Sequence, residues 1–134
     1  MRLITISGTV ISGEQIGERQ GYPTANFSRH VLRRSGLGNG IYIASITIGT
    51  RWYRAVAVIG VPGVRVQRRG KVELYIIDYP RRELYGRRLQ FVVYKKIRPI
   101  RRYRQSADLM ARIRADIRAA RKFHYPSRAT RGNI

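Results

Sequence analysis

One short segment holds residues that could either bind a ligand or shape a turn. It has the sequence GERQGYPTANFS and spans residues 17–28. Its glycines and its proline favour a turn, whereas the side chains of Thr24 and Asn26 offer a hydroxyl and an amide to a ligand. The residue types alone leave both interpretations open.

Glycines recur before and within this segment, at Gly8, Gly13, Gly17 and Gly21. Because glycine has no Cβ, backbone N–H groups at such positions can approach a phosphate closely. The spacing does not match the G-x-x-x-x-G-K-[ST] phosphate-binding loop, and no helix follows to add its N-terminus. Spacing alone therefore favours a turn-rich hairpin loop over a phosphate-binding loop.

A carboxylate occurs inside a strand-like segment, VELYI at residues 72–76. Strand alternation places Glu73 and Tyr75 on one face and the aliphatic side chains of this segment on the other. If the aliphatic residues face the core, Glu73 is an exposed residue that pairs with an arginine, and the pattern favours this interpretation. If the faces are reversed, Glu73 points inward and is a candidate general base.

Several other chemistries are excluded or find little support. The chain has no cysteine, so a disulfide framework and a thiolate metal site are ruled out. His30 and His124 are too far apart in sequence to suggest a zinc site, and neither lies near a nucleophile motif. Asp78 could cap a turn, and Asp116 lies beside apolar helix positions, so a structural role is open to both.

The charge of the chain is its most unusual feature. Lysine and arginine total 28 against 7 acidic residues, which gives a net charge of +21. Such a charge suits a polyanionic partner, above all a nucleic acid, or it serves only as a solubilising surface. The basic residues occur in nearly every segment, which argues against one dedicated nucleic-acid-binding surface. No apolar run is long enough for a membrane helix and no signal peptide is visible, so we expect a cytoplasmic protein.

The elements that would position these residues are mainly strands. Alternating or β-branched runs separated by Gly/Pro-marked connections predict an antiparallel sheet that closes into a barrel or packs as a sandwich. These runs are LITISGTVI, GIYIASITI, WYRAVAVIGV, KVELYIIDY and LQFVVYKKI.

One helix is predicted after these strands. It is capped by Ser106, and its apolar stripe contains Leu109, Ile113, Ile117 and Ala120. We expect one domain over residues 1–122 and a tail over residues 123–134.

The ordered motifs resemble the riboflavin kinase (flavokinase) family, which in bacteria usually forms the C-terminal half of a bifunctional FAD synthetase. The resemblance covers residues 6–121. It is carried, in order, by SGTVISGEQIGERQGYPTANFS, GNGIYIASI, AVAVIGVP, VELYIIDYPRRELYG and IRPIRRYRQSADLMARIRADIRAAR. It implies an all-β fold, a closed six-stranded antiparallel Greek-key barrel with one C-terminal α-helix packed on it.

The resemblance also implies a reaction, the Mg²⁺-dependent transfer of the ATP γ-phosphate to the ribityl 5′-hydroxyl of riboflavin to give FMN. Glu73 would be the catalytic base and Thr24 the magnesium ligand, with Asn26 beside the metal and the substrate hydroxyl. The ATP loop would comprise Gly13, Gly17, Gly21, Tyr22, Pro23, Thr24 and Asn26. The flavin side would comprise Asn26, Arg98, Leu109 and Ile113.

Four positions depart from the family pattern: Glu18 and Gly63 on the nucleotide side, and Ile100 and Ala107 on the flavin side. They leave Thr24, Asn26 and Glu73 in place, so we expect a monomeric riboflavin kinase that acts on riboflavin and ATP. FAD synthesis is not expected, because the adenylyltransferase half is absent. The alternatives are an inactive relative that binds nucleic acid or the ribosome, and a flavin- or nucleotide-binding regulator.

Overall fold

The computed structural model describes residues 3–12, 22–60, 71–80, 82–101 and 103–126. A short 3₁₀ helix, Arg29–Leu32, follows the second strand, and an α-helix, α1, spans Ser106–Lys122. The strands are β1 Ile4–Thr9, β2 Thr24–Ser28, β3 Gly40–Ile48, β4 Arg51–Gly60, β5 Lys71–Ile76 and β6 Arg88–Arg98. Among the helical residues that the structure describes, none forms a segment long and apolar enough to cross a lipid bilayer.

The strands form one antiparallel sheet in the order β1-β6-β3-β4-β5-β2. The edge strands β1 and β2 do not form a ladder with each other in the described residues. Ile11, two residues after the end of β1, forms an isolated bridge with β2, in which its N–H donates to the Asn26 carbonyl at 2.8 Å. The N–H of the preceding residue, Val10, donates to the Arg87 carbonyl at 2.9 Å and not to β2. The sheet is thus a curled half-barrel, and the predicted closed barrel is wrong. The Greek-key description stays a prediction.

The concave side of the sheet holds the inner core, to which every strand contributes. Ala25, Phe27 and Leu74 are fully buried there, and the rings of Phe27 and Phe91 lie 5.0 Å apart. Burying aliphatic and aromatic side chains contributes roughly 1.5–3 kcal/mol each. This core fixes which residues of β2 and β5 face inward, and hence which face the other way.

The convex side of the sheet is partly covered by α1. The predicted apolar stripe is confirmed, because all of its members and Met110 are buried against the sheet. They pack on Ile41, Ile43, Val56 and Val58. The helix begins at Ser106 itself, so the cap position falls on Gln105, whose side chain makes no capping hydrogen bond.

The residues after α1 return to the convex side of the sheet through aromatic contacts. The ring of Tyr125 lies 5.1 Å from Trp52 and 5.0 Å from Tyr94. The Tyr125 hydroxyl donates to the Ala44 carbonyl at 2.8 Å. These contacts hold the described end of the chain beside the helix; the domain boundary at residue 122 stays a prediction.

Candidate active site

The part of GERQGYPTANFS from Thr24 onward is strand β2, and residues 17–21 of this segment lie outside the described residues. Its side chains alternate: Ala25 and Phe27 are fully buried in the inner core, and Thr24 and Asn26 point to the convex side. The Pro23 carbonyl accepts a hydrogen bond from the Ile76 N–H at 3.0 Å, which continues the pairing with β5. The strand therefore presents a hydroxyl and an amide on one face, two residues apart.

The pairing of β2 with β5 brings the predicted catalytic residues together. Asn26 lies directly opposite Glu73, and Thr24 lies directly opposite Tyr75. Directly opposed residues in an antiparallel pair have Cβ atoms about 4.5–5.5 Å apart and share a face of the sheet. Four polar side chains, distant in sequence, therefore form one cluster, which we call the β2–β5 cluster: Thr24, Asn26, Glu73 and Tyr75.

Two oxygens of the β2–β5 cluster are buried without a hydrogen-bond partner in the described structure. They are Thr24 Oγ1 and Asn26 Oδ1, on side chains of residues that are 8% and 4% exposed. A buried polar atom without a partner costs about 1–3 kcal/mol. Two such atoms on one strand face fit a ligand that binds oxygens.

A divalent cation of the magnesium type fits these oxygens, since it prefers hard oxygen ligands and takes few of them from the protein. The described part of the chain contains no group of three or more His, Cys, Asp or Glu residues that could hold a metal. Thr24 Oγ1 and Asn26 Oδ1 are the protein oxygens that would hold such a cation.

The aliphatic residues of VELYI face the inner core and Glu73 faces the convex side, as the favoured interpretation predicts, but Glu73 is half-buried there and not exposed. Tyr75 beside it is buried, with 3% exposure. Burial raises the pKa of Tyr75, and the charge of Glu73 and a hydrogen bond to it raise that pKa further. The phenol thus stays protonated and donates to the Glu73 carboxylate.

The other residues of the predicted ATP loop divide into two groups. Tyr22 and Pro23 border the β2–β5 cluster, and the Tyr22 ring meets Tyr75 edge to face at 6.3 Å. The predicted positions Gly13, Gly17 and Gly21, and the departures Glu18 and Gly63, lie outside the described residues.

Of the residues predicted for the flavin side, Asn26 belongs to the β2–β5 cluster, and the other three lie where α1 meets the sheet. The Arg98 guanidinium makes a bidentate ion pair with Asp116, with Nη2–Oδ2 at 2.7 Å and Nε–Oδ1 at 3.0 Å, and Nη1 donates to the Tyr103 hydroxyl at 3.3 Å. Burial alone would lower the pKa of Arg98, but Asp116 and Tyr103 together outweigh it and the pKa is raised. Leu109 and Ile113 lie on the side of α1 that packs on the sheet, and they are 6% and 1% exposed.

Two of the departures from the family pattern also fall in this region. Ile100 is half-buried, and its Cδ1 would lie 2.9 Å from a Cβ at position 60, where a φ of 116° favours glycine. Ala107 is exposed on the first turn of α1.

The sequence analysis did not predict two features of the site, the Arg98–Asp116 ion pair and the role of Tyr75. The Arg98–Asp116 pair joins residues on a strand and a helix, and no periodicity relates them. Tyr75 had a detectable signal, since it lies two residues after Glu73 and must share its face.

Comparison with known proteins gives one consistent result. The family model of riboflavin kinase, Flavokinase, matches residues 1–124. The RNA-binding riboflavin kinase RibR of Bacillus subtilis (strain 168) is 33% identical over 118 residues, which cover 87% of this chain and 50% of RibR. The bifunctional riboflavin kinase/FMN adenylyltransferase of Pseudomonas fluorescens is 34% identical over 127 residues, which cover 94% of this chain and 40% of that protein. The chain thus spans half or less of the length of these curated relatives.

Solved structures agree on the fold. A macrolide-efflux protein from Streptococcus pneumoniae superposes with a TM-score of 0.71 at 27% identity, covering 90% of this chain and 39% of that one. Riboflavin kinase from Trypanosoma brucei superposes with a TM-score of 0.60 at 20% identity, covering 90% of this chain and 79% of that one. Because the family model matches nearly the whole chain, the protein belongs to the riboflavin kinase family.

Proposed function

We propose that this protein is an ATP-dependent riboflavin kinase that phosphorylates the 5′-hydroxyl of the ribityl chain and releases FMN and ADP. The observation that supports it most is the β2–β5 cluster, in which Asn26 and Glu73 are directly opposed and Thr24 lies two residues away on the same face. Phosphoryl transfer needs positioned oxygens and neutralised charge more than covalent chemistry, and this cluster supplies both an acceptor of a proton and oxygens for a cation.

Glu73 acts as the general base in this proposal. Its carboxylate takes the proton from the ribityl hydroxyl as the oxygen attacks the γ-phosphorus, while the bond from that phosphorus to the β,γ-bridging oxygen breaks and ADP leaves. A half-buried carboxylate with a fixed hydrogen-bond donor is held in one orientation, which suits proton transfer to a positioned base.

Thr24 and Asn26 hold the magnesium ion and the substrate end of the reaction. Their unpartnered oxygens, Thr24 Oγ1 and Asn26 Oδ1, are the atoms assigned to this role. Bound Mg²⁺ would neutralise charge on the phosphate oxygens. The phosphates themselves are assigned to the loop containing Gly13, Gly17 and Gly21, with Tyr22 and Pro23 at its end.

The flavin is assigned to the side of the cluster that faces α1. Asn26 contacts the ribityl end in this proposal, and Leu109 and Ile113 form the apolar support for the ring. Ile113 is only 1% exposed, so it acts through packing. Arg98 acts by holding α1 in place through Asp116, because its guanidinium is already bonded there. A cytoplasmic, monomeric enzyme remains our expectation.

The test is FMN formation from riboflavin, ATP and Mg²⁺, followed by chromatography. We expect FMN from the unmodified protein and a loss of at least about 100-fold in kcat for Glu73→Gln, within the range that general-base catalysis contributes. Glu83→Gln is the matched control, since Glu83 is exposed and bonds only to the Tyr85 N–H in the described contacts. No FMN with any nucleoside triphosphate, or equal rates in both variants, would contradict the proposal.

Nucleic-acid binding is a second candidate function. It is favoured by the net charge of +21 and by the name of one relative, the RNA-binding riboflavin kinase RibR, half of whose length the match covers. It does not require the loss of kinase activity, because the β2–β5 cluster is intact.

A further inference from the structure

Tyr75 places a buried hydroxyl at the centre of the candidate site. The residue is 3% exposed, lies directly opposite Thr24, and shares the convex face with Glu73 two residues earlier. Its ring is fixed by the edge contact with Tyr22 at 6.3 Å. A phenol in this position needs a partner for its hydroxyl, since an unpaired buried donor is costly.

The carboxylate of Glu73 lies two residues earlier on the same face of β5, next to this buried hydroxyl, and the hydroxyl is hydrogen-bonded to it. On the other side of β5, the residues opposite Glu73 and Tyr75 are Val58 and Val56, which offer no polar atom from their side chains. Across β2 the facing side chains are Asn26 and Thr24, and each has an oxygen still without a partner. The Tyr75 hydroxyl therefore donates to the Glu73 carboxylate, and the oxygens of Thr24 and Asn26 can still bind a ligand.

A carboxylate has two oxygens and accepts several hydrogen bonds. When one oxygen accepts from a rigid phenol, the torsions of the glutamate side chain are restricted and the second oxygen keeps one direction. A displacement of about 1 Å at a reacting group can cost about 100-fold in rate. The rate of proton transfer to Glu73 thus depends on how the protein orients this carboxylate.

We propose that Tyr75 is a positioning residue, whose hydroxyl holds the Glu73 carboxylate toward the acceptor hydroxyl of the substrate. This inference rests on the proposed kinase function, in which Glu73 is the base. It concerns orientation, so the chemistry of phosphoryl transfer is unchanged when Tyr75 is replaced, and the proton still goes to Glu73.

Tyr75→Phe removes the hydroxyl and keeps the ring. We expect kcat for FMN formation to fall about 10- to 100-fold, a loss of positioning, while KM for riboflavin and ATP stays within about twofold. In a Glu73→Gln background the same replacement should lower kcat by less than about threefold, because residues that act through one contact are not additive. An equal loss in both backgrounds, or a change confined to KM, would overturn the proposal.

Tyr94→Phe is the matched control. Tyr94 is 4% exposed on the same convex face, and its hydroxyl is hydrogen-bonded to Ser45 Oγ at 2.7 Å, away from the β2–β5 cluster. We expect this variant to lose stability with kcat unchanged. If it loses kcat as Tyr75→Phe does, the effect is one of packing and the positioning role is rejected.

A second readout needs no catalysis. A buried, bonded tyrosine hydroxyl exchanges slowly, and its proton can be followed by NMR in the protein without nucleotide. The signal that disappears in Tyr75→Phe should shift in Glu73→Gln and persist in Tyr94→Phe. If the signal keeps its chemical shift in Glu73→Gln, the hydrogen bond between Tyr75 and Glu73 is contradicted even if FMN is formed. If the signal behaves as expected but no FMN forms, the kinase proposal fails and the contact stands.

Discussion

A buried polar atom that is paired only when a ligand is bound lowers the stability of the unliganded protein. The side chain of Thr24 carries such an atom. Its hydroxyl oxygen is buried without a partner in the described structure, although the position could be filled by valine at similar size. Proteins accept such costs where function requires them. The cost of Thr24 to stability and its benefit to catalysis can therefore be separated by one substitution.

We predict that Thr24→Val leaves the free energy of unfolding unchanged or raises it by about 1 kcal/mol, because the substitution removes a buried hydroxyl that has no hydrogen-bond partner. FMN formation should fall at least about tenfold and require more Mg²⁺, since one proposed metal ligand is lost. Urea unfolding without nucleotide and a magnesium titration of the kinase rate measure the two effects.

The control for Thr24→Val is Ser45→Ala. Ser45 is 1% exposed and its hydroxyl is satisfied by Tyr94, so this change should cost about 1 kcal/mol or more and leave the Mg²⁺ requirement unchanged. If Thr24→Val destabilises the protein as much as Ser45→Ala does, the Thr24 hydroxyl has a structural partner and its assignment to the metal is wrong.

The residues of the site could be predicted from the sequence, but their arrangement in space could not. The motif GYPTAN and the glutamate of VELYI are local patterns, so Thr24, Asn26 and Glu73 could be named from them. Whether Glu73 was exposed depended on which face of β5 meets the inner core and on what covers the other face. Both depend on contacts between distant segments, which alternation alone does not specify.

Strand β2 shows the same limit at the scale of an element. The other strands were visible as long alternating runs, whereas β2 has only five residues and follows glycines and a proline that favour a turn. Its strand conformation comes from pairing with β5, nearly fifty positions later, and from burial of Ala25 and Phe27. Tertiary pairing overrides local preference in such a segment.

The position of α1 over the sheet depends on its apolar stripe and on one buried ion pair. The stripe was predictable from periodicity and allows the helix to slide or rotate slightly, because apolar contacts are non-directional. The pair between Arg98 and Asp116 is directional and bidentate, with side chains only 9% and 5% exposed. It thus selects one position of the helix relative to β6.

We predict that Asp116→Asn lowers the free energy of unfolding by about 3 kcal/mol, because the buried Arg98 charge loses its counter-charge. Asp78→Asn is the matched control: Asp78 also pairs with an arginine, Arg121, at 2.9 Å, but the side chains are 67% and 50% exposed. Exposed pairs are worth about 0–1 kcal/mol.

The replacement at position 78 isolates charge from backbone effects, since Asp78 has a φ of 62° and asparagine tolerates this left-handed conformation well. Urea unfolding followed by the fluorescence of Trp52, the single tryptophan, compares the two variants. Equal losses of stability would mean that the Arg98–Asp116 pair does not fix the helix. We also expect KM for riboflavin to rise in Asp116→Asn alone, because the helix supports the flavin side.

Charge is the dominant property of the whole molecule, and it is not concentrated on one element. Exposed basic residues occur on the loop after the 3₁₀ helix, on β6 and on α1, for example Arg33, Arg88, Lys95 and Arg114. A charge of +21 spread in this way attracts polyanions from many directions. The fold itself gives no reason for it, because the inner core and the β2–β5 cluster do not depend on these residues.

We therefore predict a diffuse, salt-sensitive attraction to RNA that is separate from catalysis. A fluorescently labelled single-stranded RNA should bind at low ionic strength, and its affinity should fall about 300-fold between about 50 and 200 mM salt if about six phosphates are contacted. Glu73→Gln should bind the RNA as the unmodified protein does, and ATP with riboflavin should not displace it at moderate salt. Anisotropy titrations at several salt concentrations measure these quantities. Affinity in the nanomolar range that survives physiological ionic strength would contradict the diffuse attraction and favour RNA binding as a dedicated second function, because specific complexes retain such affinity where non-specific ones do not.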